Sequence, residues 1–396
     1  MKIQSERAKE IDAYLGTHPD AEIGKWPVEI AGEKTILPFY RFPVKLLRYN
    51  ANNGRMAMEI REWEEKQKRT LNACLKEDTI IIRDLLLALD QEKTKILKED
   101  LRKKGQMEPG AITHDGFVIN GNRRMAILEE LHKDEPTGKW EFLEAVRLPP
   151  TITEKDLWRI EAGLQLSKDK VAEYHPVNEL LKIKEGILAG LTPKEVAAAM
   201  YGRTTDEIED AIKRLELIEN FLEFFGQPMN YGVIKTFGLH EYFIDIQKYV
   251  IAPGKREGVS KKQIAKRLQY SFALVRATIL KNKADKKQKG ITHWDVRRLA
   301  KIFPDPHAEG AYLEHLSKAK MLNDVSAEVV IEDFYNAVEV INMREQRDQP
   351  IKLIEKAINA LESIDRESKH FREERVNEAI LKLLKIVQDI QKDLNL

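Results

Sequence analysis

A strand, turn, strand, glycine, helix pattern constrains the fold more than any other feature of the sequence. Gly110–Thr113 and Phe117–Asn120 are short apolar runs around a His-Asp-Gly turn, which predicts a hairpin. A helix is predicted over residues 122–133, and Gly121 lies at the junction. A strand that passes through glycine into a helix brings backbone N–H groups to one point, as phosphate-binding sites do.

Two arginines occupy the first turn of this predicted helix. Arg123 and Arg124 stand where the helix dipole disfavours cations, by roughly 0.3–1 kcal/mol each. An anion bound there would reverse this cost, because the dipole, the terminal N–H groups and both guanidinium groups would attract it. We therefore predict a phosphate-binding cradle formed by Gly121, Asn122, Arg123 and Arg124. The alternative is that both arginines are surface residues that pair with nearby glutamates.

The remaining pattern predicts an α+β fold. The junction is preceded by a short helix, two strands within residues 26–43 and helical sequence from 59 to 104. It is followed by a strand at 142–149. After Pro149 and Pro150 the chain is almost wholly helical, which indicates a domain boundary. We predict a small mixed sheet followed by mainly α-helical domains. The predicted segments are 1–35, a helix and hairpin; 36–150, the sheet domain; 151–225, a helix-turn-helix domain; 226–345, a basic helical domain; and 346–396, a C-terminal helical hairpin.

A helix-turn-helix is predicted over residues 191–217, where two helical patterns flank a turn that contains Gly202. Its second helix is rich in acidic residues, which repel phosphates, so that only Arg203 and Thr204 at its start are candidates for DNA contacts.

Segment 255–298 suits DNA better on charge. It has 14 basic and 3 acidic residues, a net charge of +11 in a chain whose total is +1. Such local charge is typical of a surface that faces phosphates, and the alternative is a solvated pair of helices. The candidates for DNA contacts in this segment are Lys261, Lys262, Lys266, Arg267 and Arg276.

Residues 40–220, taken in order, resemble the N-terminal domain and helix-turn-helix of the ParB family. The shared features are K-x-G after a helix, a proline before a strand, a hairpin, a G-x-R-R helix start, a glutamine-bearing segment and LT-x-x-E-V-A. The resemblance implies the ParB/sulfiredoxin-like fold for segment 36–150. It also implies binding of a nucleoside triphosphate, CTP in the chromosome-partitioning members, with magnesium.

The match to the two nucleotide-binding boxes of that family is uneven. Gly121 and both arginines match the GERR-like box, with Asn122 in place of its acidic residue. The ENIQR-like box matches only at Gln165, which the resemblance makes a nucleotide-binding candidate. Glu161 stands one position before the family's carboxylate, so that the resemblance assigns no residue here to the metal, although hard cations require oxygen donors. Phosphate binding is therefore better supported than hydrolysis.

Further candidates flank this cradle. Arg55 is a candidate for a third cation of the phosphate site, and Asn53 is a candidate for the loop that covers its edge. The alternative is that this loop is a plain turn. Glu161 and His175 are candidate catalytic residues. His175 is suited to general-base chemistry, although a histidine in this setting more often caps or packs.

Composition excludes several classes of protein. No apolar run approaches the roughly 18 residues of a spanning helix, and the N-terminus lacks the apolar core of a secretory signal, so that we expect a cytoplasmic protein with no membrane partner. Cys74 is the single cysteine, which excludes an internal disulfide and a cysteine-based zinc site. Asn122 stands at the position of the sulfiredoxin cysteine, which excludes that activity. The histidines are scattered, and no protein-built metal site is predicted.

Amphipathic helices predicted at 351–365 and 370–394 are expected to pack on the body or on a second subunit, and a homodimer is expected. Our first hypothesis is a ParB-like DNA-binding protein that holds a nucleotide or a DNA phosphate in the cradle, in plasmid or mobile-element maintenance. The second is a ParB-like nuclease or an NTPase that hydrolyses CTP, in a DNA-modification or antiphage defence system. The third is an adaptor whose cradle is empty.

Overall fold

The computed structural model of the protein describes residues 4–51, 54–136, 138–165, 175–200, 202–284 and 291–394. The fold is α+β: a small mixed sheet of six strands lies in the N-terminal part of the chain and helices follow it. At this level the predicted fold class is confirmed. Within the described ranges, no helix combines the length and the apolar character that crossing a membrane requires.

The sheet is assembled from separate segments of the chain. Its strands are β1 (Glu22–Ile30), β2 (Glu33–Pro43), β3 (Arg48–Tyr49), β4 (Gly110–Ile112), β5 (Phe117–Asn120) and β6 (Phe142–Arg147). Their order is β1-β2-β6-β4-β5-β3. The pairs β1–β2, β2–β6 and β4–β5 are antiparallel, whereas β4–β6 and β3–β5 are parallel. Both predicted hairpins are therefore present.

The helices divide into those that alternate with the strands and those that follow the sheet. The first group is α1 (Ser5–Thr17), α2 (Ala57–Gln67), α3 (Lys76–Ala88), α4 (Gln91–Lys104) and α5 (Asn122–Asp134). The second group is α6 (Glu154–Gln165), α7 (Pro176–Leu188), α8 (Pro193–Ala199), α9 (Thr205–Phe224), α10 (Gly232–Thr236), α11 (His240–Ile246), α12 (Ala252–Arg256), α13 (Lys261–Ala284), α14 (His293–Val296), α15 (Leu299–Ile302), α16 (Pro306–Tyr312), α17 (Ala327–Glu362) and α18 (Glu374–Asp393).

The central strands contribute to two apolar clusters. Ile112 and Val118 belong to the larger cluster, which includes buried side chains of α2 to α5. Their neighbours Ala111 and Ile119 belong to a smaller cluster together with Ile160 of α6. Because successive strand residues point to opposite faces, this division fixes the register of the sheet.

Two glycines shape the junction between β5 and α5. A Cβ on Gly110 would lie 2.5 Å from the Asn120 carbonyl oxygen, so that a side chain there would push β4 and β5 apart. Gly121 has a φ of 110°, which glycine adopts readily and other residues adopt at a cost. The local sequence thus dictates a tight turn directly before α5.

Contacts divide the chain into two compact units, Met1–Ala300 with His315–Ile331 and Lys301–Glu314 with Glu332–Leu396. In the second unit, the ring of Tyr312 lies 6.1 Å from those of Phe303 and Phe334. Asp305 caps α16 and forms an ion pair with Arg344.

The helix boundary predicted at Pro350 is wrong. The sequence predicts a new helix after this proline, but α17 continues from Ala327 to Glu362 with Pro350 inside it. Proline removes one N–H from the helix, and Pro350 is exposed, so that water can bind the carbonyl group left without a partner. The last predicted helix is present as α18, and none of its described side chains is buried.

Candidate anion-binding cleft

The side chain of Asn122 fixes the start of α5. It is 2% exposed, its Oδ1 accepts a hydrogen bond from the Asn50 N–H at 3.0 Å, and its Nδ2 donates to the Val118 carbonyl at 2.6 Å. Both ends of the amide are thus used to join the chain after β3 to β5. Asn122 therefore has a structural role, and its hydrogen bonds position Arg123, the residue that follows.

The two arginines of the doublet have different surroundings, because successive residues of a helix are rotated by about 100°. Arg124 donates a hydrogen bond from Nη1 to the Glu108 carbonyl oxygen, and burial lowers the pKa of its guanidinium. Arg123 lines a cleft of about 100 Å³. The predicted cradle is therefore divided, since Arg123 faces this cleft and Arg124 stabilises the approach to β4.

The cleft, which we call the cationic cleft, brings together side chains from separate segments of the chain. Its cations are Arg55, Lys93, Arg123 and Lys235. Its carboxylates are those of Glu59 and Asp90, and His175 and Asn178 complete its polar lining. With a neutral histidine the net charge is +2, and a narrow positive cleft concentrates field lines on an anion. Arg55, Arg123 and His175 are the predicted site residues that meet there.

His175 forms the N-cap of α7 beside the cleft. Its Nδ1 accepts a hydrogen bond from the Val177 N–H at 3.3 Å. Burial and the charge of Lys235 lower the pKa of His175, so that its ring is neutral at pH 7. Because Nδ1 accepts, the neutral ring carries its proton on Nε2 and is a hydrogen-bond donor there.

Asn178 attaches α7 to the segment that carries Arg55. Its Nδ2 donates to the Arg55 carbonyl at 2.8 Å, and its Oδ1 accepts from the Met58 N–H at 3.0 Å. The amide is 3% exposed. The backbone beneath one cation of the cleft is therefore fixed by a buried pair of hydrogen bonds.

Sequence reasoning missed Lys93 and Lys235. Lys93 lies in the first turn of α4, where its N–H donates to the Asp90 carboxylate at 3.1 Å. This hydrogen bond is the main reason that the pKa of Asp90 is lowered. Lys235 of α10 lies 3.1 Å from the Glu59 carboxylate of α2. Neither lysine stands in a local motif, so that only tertiary packing reveals them.

Glu161, the candidate catalytic carboxylate, lies in a separate buried cluster. Its Oε1 accepts from the Gly54 N–H at 3.0 Å, and its Oε2 lies 2.8 Å from Nζ of Lys182. Lys182 also pairs with Glu185 at 3.1 Å. Burial alone would lower the pKa of Lys182, but the two carboxylates outweigh it and raise that pKa. Lys182 is therefore charged and neutralises Glu161.

This cluster does not fit magnesium. Mg²⁺ requires carboxylate oxygens that are available for coordination, and both oxygens of Glu161 are already engaged with the protein. Among the residues that the structure describes, no group of three His, Cys, Asp or Glu side chains is arranged to hold a metal ion.

Arg203 and Thr204, the candidates for DNA contacts in the predicted helix-turn-helix, both interact with nearby side chains of the protein. Arg203 pairs with Glu179 at 2.5 Å. Thr204 is the N-cap of α9 and forms a capping box with Glu207. The start of α9 is thus stabilised by the two residues predicted to contact DNA.

The basic candidates on α13 differ in exposure. Lys261, Lys262 and Lys266 are exposed near its start. Arg267 lies 3.9 Å from Glu257. Arg276 donates to the Asn323 and Val325 carbonyls at 3.0 and 3.4 Å, which is a structural role. The three lysines are therefore the part of this predicted set that is open to a partner.

Two predicted residues cannot be placed in the site. Asn53 lies outside the described residues. Gln165 ends α6, and its side chain lies outside the described part of the chain.

Comparison with known proteins assigns no family to the chain. No protein-family model matches it, and no curated protein matches it. Conclusions about function therefore depend on the geometry above.

Proposed function

We propose that the cationic cleft binds a phosphate group and that the protein is a ParB-like nucleic-acid-binding protein. The observation that carries the proposal is the convergence of four cations from separate segments on one cleft with a net positive charge. Guanidinium and ammonium groups form short, strong hydrogen bonds with phosphate oxygens. The order of β5, Gly121, Arg123 and α5 supports the relation to the ParB family.

The size of the cleft favours a phosphate group over a whole nucleotide. Cavities that enclose drug-sized ligands measure roughly 300–1,000 Å³, whereas this cleft measures about 100 Å³. A terminal phosphate of a nucleotide such as CTP, or a phosphate of the DNA backbone, is of suitable size. The base of a nucleotide would then lie outside the cleft.

Binding is favoured over hydrolysis. Glu161 is neutralised by Lys182, and the neutral His175 carries a proton on Nε2 rather than a lone pair. A nuclease or NTPase requires a group that activates water, and neither candidate supplies it. His175 instead offers one more hydrogen-bond donor to the anion.

DNA and a second copy of the chain are the proposed macromolecular partners. The exposed lysines at the start of α13 supply charge for DNA. For the second copy, apolar residues of α18 follow a spacing of four and three: Val376, Ile380, Leu383, Val387 and Ile390. An apolar repeat of this spacing is typical of a helix that pairs with another helix in a coiled coil.

Calorimetric titration with CTP, ATP, GTP and inorganic phosphate tests the cleft. We expect R123A to weaken binding about tenfold or more, because each hydrogen bond to a charged group contributes about 1.5–3 kcal/mol. R124A is the matched control, since it removes the adjacent charge outside the cleft, and it should leave affinity nearly unchanged. Equal losses in both variants would contradict the assignment of the cleft.

Sedimentation of the full chain tests whether two copies of the chain associate through α18. V387D places a charge in the apolar seam, and it should convert a dimer into a monomer. K385D, on the same helix outside the seam, is the control. A wild-type chain that sediments as a monomer at micromolar concentration would rule out the proposed dimer.

A further inference from the structure

We infer that Trp294 and Arg297 form a stacking platform for the bases of single-stranded nucleic acid. The inference rests on the nucleic-acid binding proposed above and specifies its substrate class. It concerns a surface that is separate from the cationic cleft.

Trp294 has the exposure that such a platform requires. Its side chain is 63% exposed, whereas Trp140 and Trp158 are 4% and 3% exposed. A large aromatic ring left open to water has no role in the core, and it lies within the segment of net charge +11. A polyanion is the partner that this charge favours over a second protein surface.

Arg297 lies against the indole and is held in place. Its guanidinium carbon is 3.9 Å from the centre of the Trp294 ring, within the range of a cation–π contact. Its Nε donates to the buried carboxylate of Asp245 at 3.0 Å. Nδ1 of His293 lies 2.9 Å from the same carboxylate oxygen. The plane of the guanidinium is therefore fixed before any ligand binds.

The alternation of rings and cations continues beyond this pair. Arg297 lies 5.4 Å from the ring of Tyr249, and Nζ of Lys248 lies 5.4 Å from the same ring. The order along the surface is thus Lys248, Tyr249, Arg297, Trp294. Aromatic and guanidinium planes offer stacking for any base, and the cations attract the backbone.

Single strands fit this surface better than a duplex. The bases of a duplex are stacked on one another and expose only their edges, so that an indole ring cannot stack on their faces without unstacking them. Bases of a single strand present their faces freely. The expected preference is for an extended single strand without sequence specificity.

Fluorescence anisotropy with a labelled 20-nucleotide oligothymidine and a 20-base-pair duplex tests the inference in the full chain. W294A should weaken single-strand binding about tenfold, the range of one base-stacking contact. W294F should retain most of the affinity, and duplex binding should not change in either variant. L188A, which removes another exposed apolar side chain, should have no effect.

Salt dependence separates stacking from charge. W294A removes no charge, so that the slope of log Kd against log salt should stay the same, whereas the triple variant K261A/K262A/K266A should reduce it. R297K retains the charge but loses the planar group, and it should weaken single-strand binding several-fold at an unchanged slope.

The outcomes distinguish the two proposals. If the duplex binds and W294A leaves single-strand affinity unchanged, the platform is refuted and DNA binding stands. If neither polymer binds, the DNA part of the proposed function fails as well. The calorimetric result for R123A is independent of both.

Discussion

Helix α7 contributes residues to two clusters of charged side chains that differ in net charge and in burial. At its N-terminal end, the cationic cleft holds four cations against two carboxylates. Farther along the same helix, Lys182 lies between Glu161 and Glu185, and its side chain is completely buried. A surplus of cations beside a cavity favours an incoming anion, whereas a buried cation enclosed by carboxylates stabilises the fold. The difference suggests a rule for reading such clusters: charge count and burial together distinguish a proposed anion site from a structural ion pair.

The largest effect is expected in the buried cluster of Lys182, Glu161 and Glu185, which we call the inner cluster. K182A leaves two carboxylates without their buried partner, and we expect a loss of about 3–5 kcal/mol in the free energy of unfolding. Urea denaturation measures it. K184A is the control, because the pair of Lys184 with Glu219 is partly exposed and should contribute less than about 1 kcal/mol. Similar losses in the two variants would mean that the ion pairs of Lys182 do not stabilise the fold more than an exposed pair does.

A pH titration of stability tests the histidine His240, whose charge state is influenced by His175 of the cationic cleft. Burial lowers the pKa of His240 to about 4, with further contributions from Arg214 and His175. Since the unfolded pKa is about 6.5, the unfolded state binds the proton first, and stability is lost as the pH falls from about 6.5 to 4. We expect a decrease of about 3 kcal/mol in the free energy of unfolding over this range.

The variant H240Q provides the control for this titration. It cannot take up the proton, so that its stability should fall less steeply between pH 6.5 and 4, although it is expected to be less stable at pH 7. A wild-type profile that is flat over this interval would contradict the buried, neutral state of His240.

The smallest effect concerns the charge balance of the cationic cleft. E59Q removes the carboxylate that lies 3.1 Å from Lys235, and it raises the net charge of the cleft by one. We expect phosphate to bind about threefold more tightly, measured by calorimetry at low salt, since partly exposed charges interact by about 1 kcal/mol or less. E62Q, on the same helix but outside the cleft, should not change the affinity. Tighter binding in E62Q as well would indicate a long-range effect of net charge.

The local parts of the fold and of the site could be predicted from the sequence. The turn before β5, the glycine at 121 and the helix that follows depend on backbone preferences of adjacent residues, and the structure confirms these elements. The helix boundary at Pro350 was not predictable in this way, because the described side chains of α17 on both sides of Pro350 are exposed, and water there can replace the hydrogen bond that proline removes.

The membership of the site depended on packing and was only partly predictable. Arg123 follows from the motif, but Lys235 reaches the cleft from α10 through contacts with α2, which no local pattern encodes. The separation of Arg123 from Arg124 follows from helix geometry alone. The burial of Lys182 was not predictable, because a lysine on a helix is expected to be exposed, and its charge is balanced in the interior by carboxylates from two helices, Glu161 of α6 and Glu185 of α7.

The two hydrogen bonds of the Asn122 side chain have a consequence for how a ligand binds. Because its amide fixes the backbone immediately before Arg123, little conformational entropy remains to be lost when an anion arrives. Association should therefore require no rearrangement of the backbone at the start of α5, and the heat capacity should change little on binding, since the described lining of the cleft is mainly polar. The site is rigid at its base and adaptable only at the tips of its long side chains.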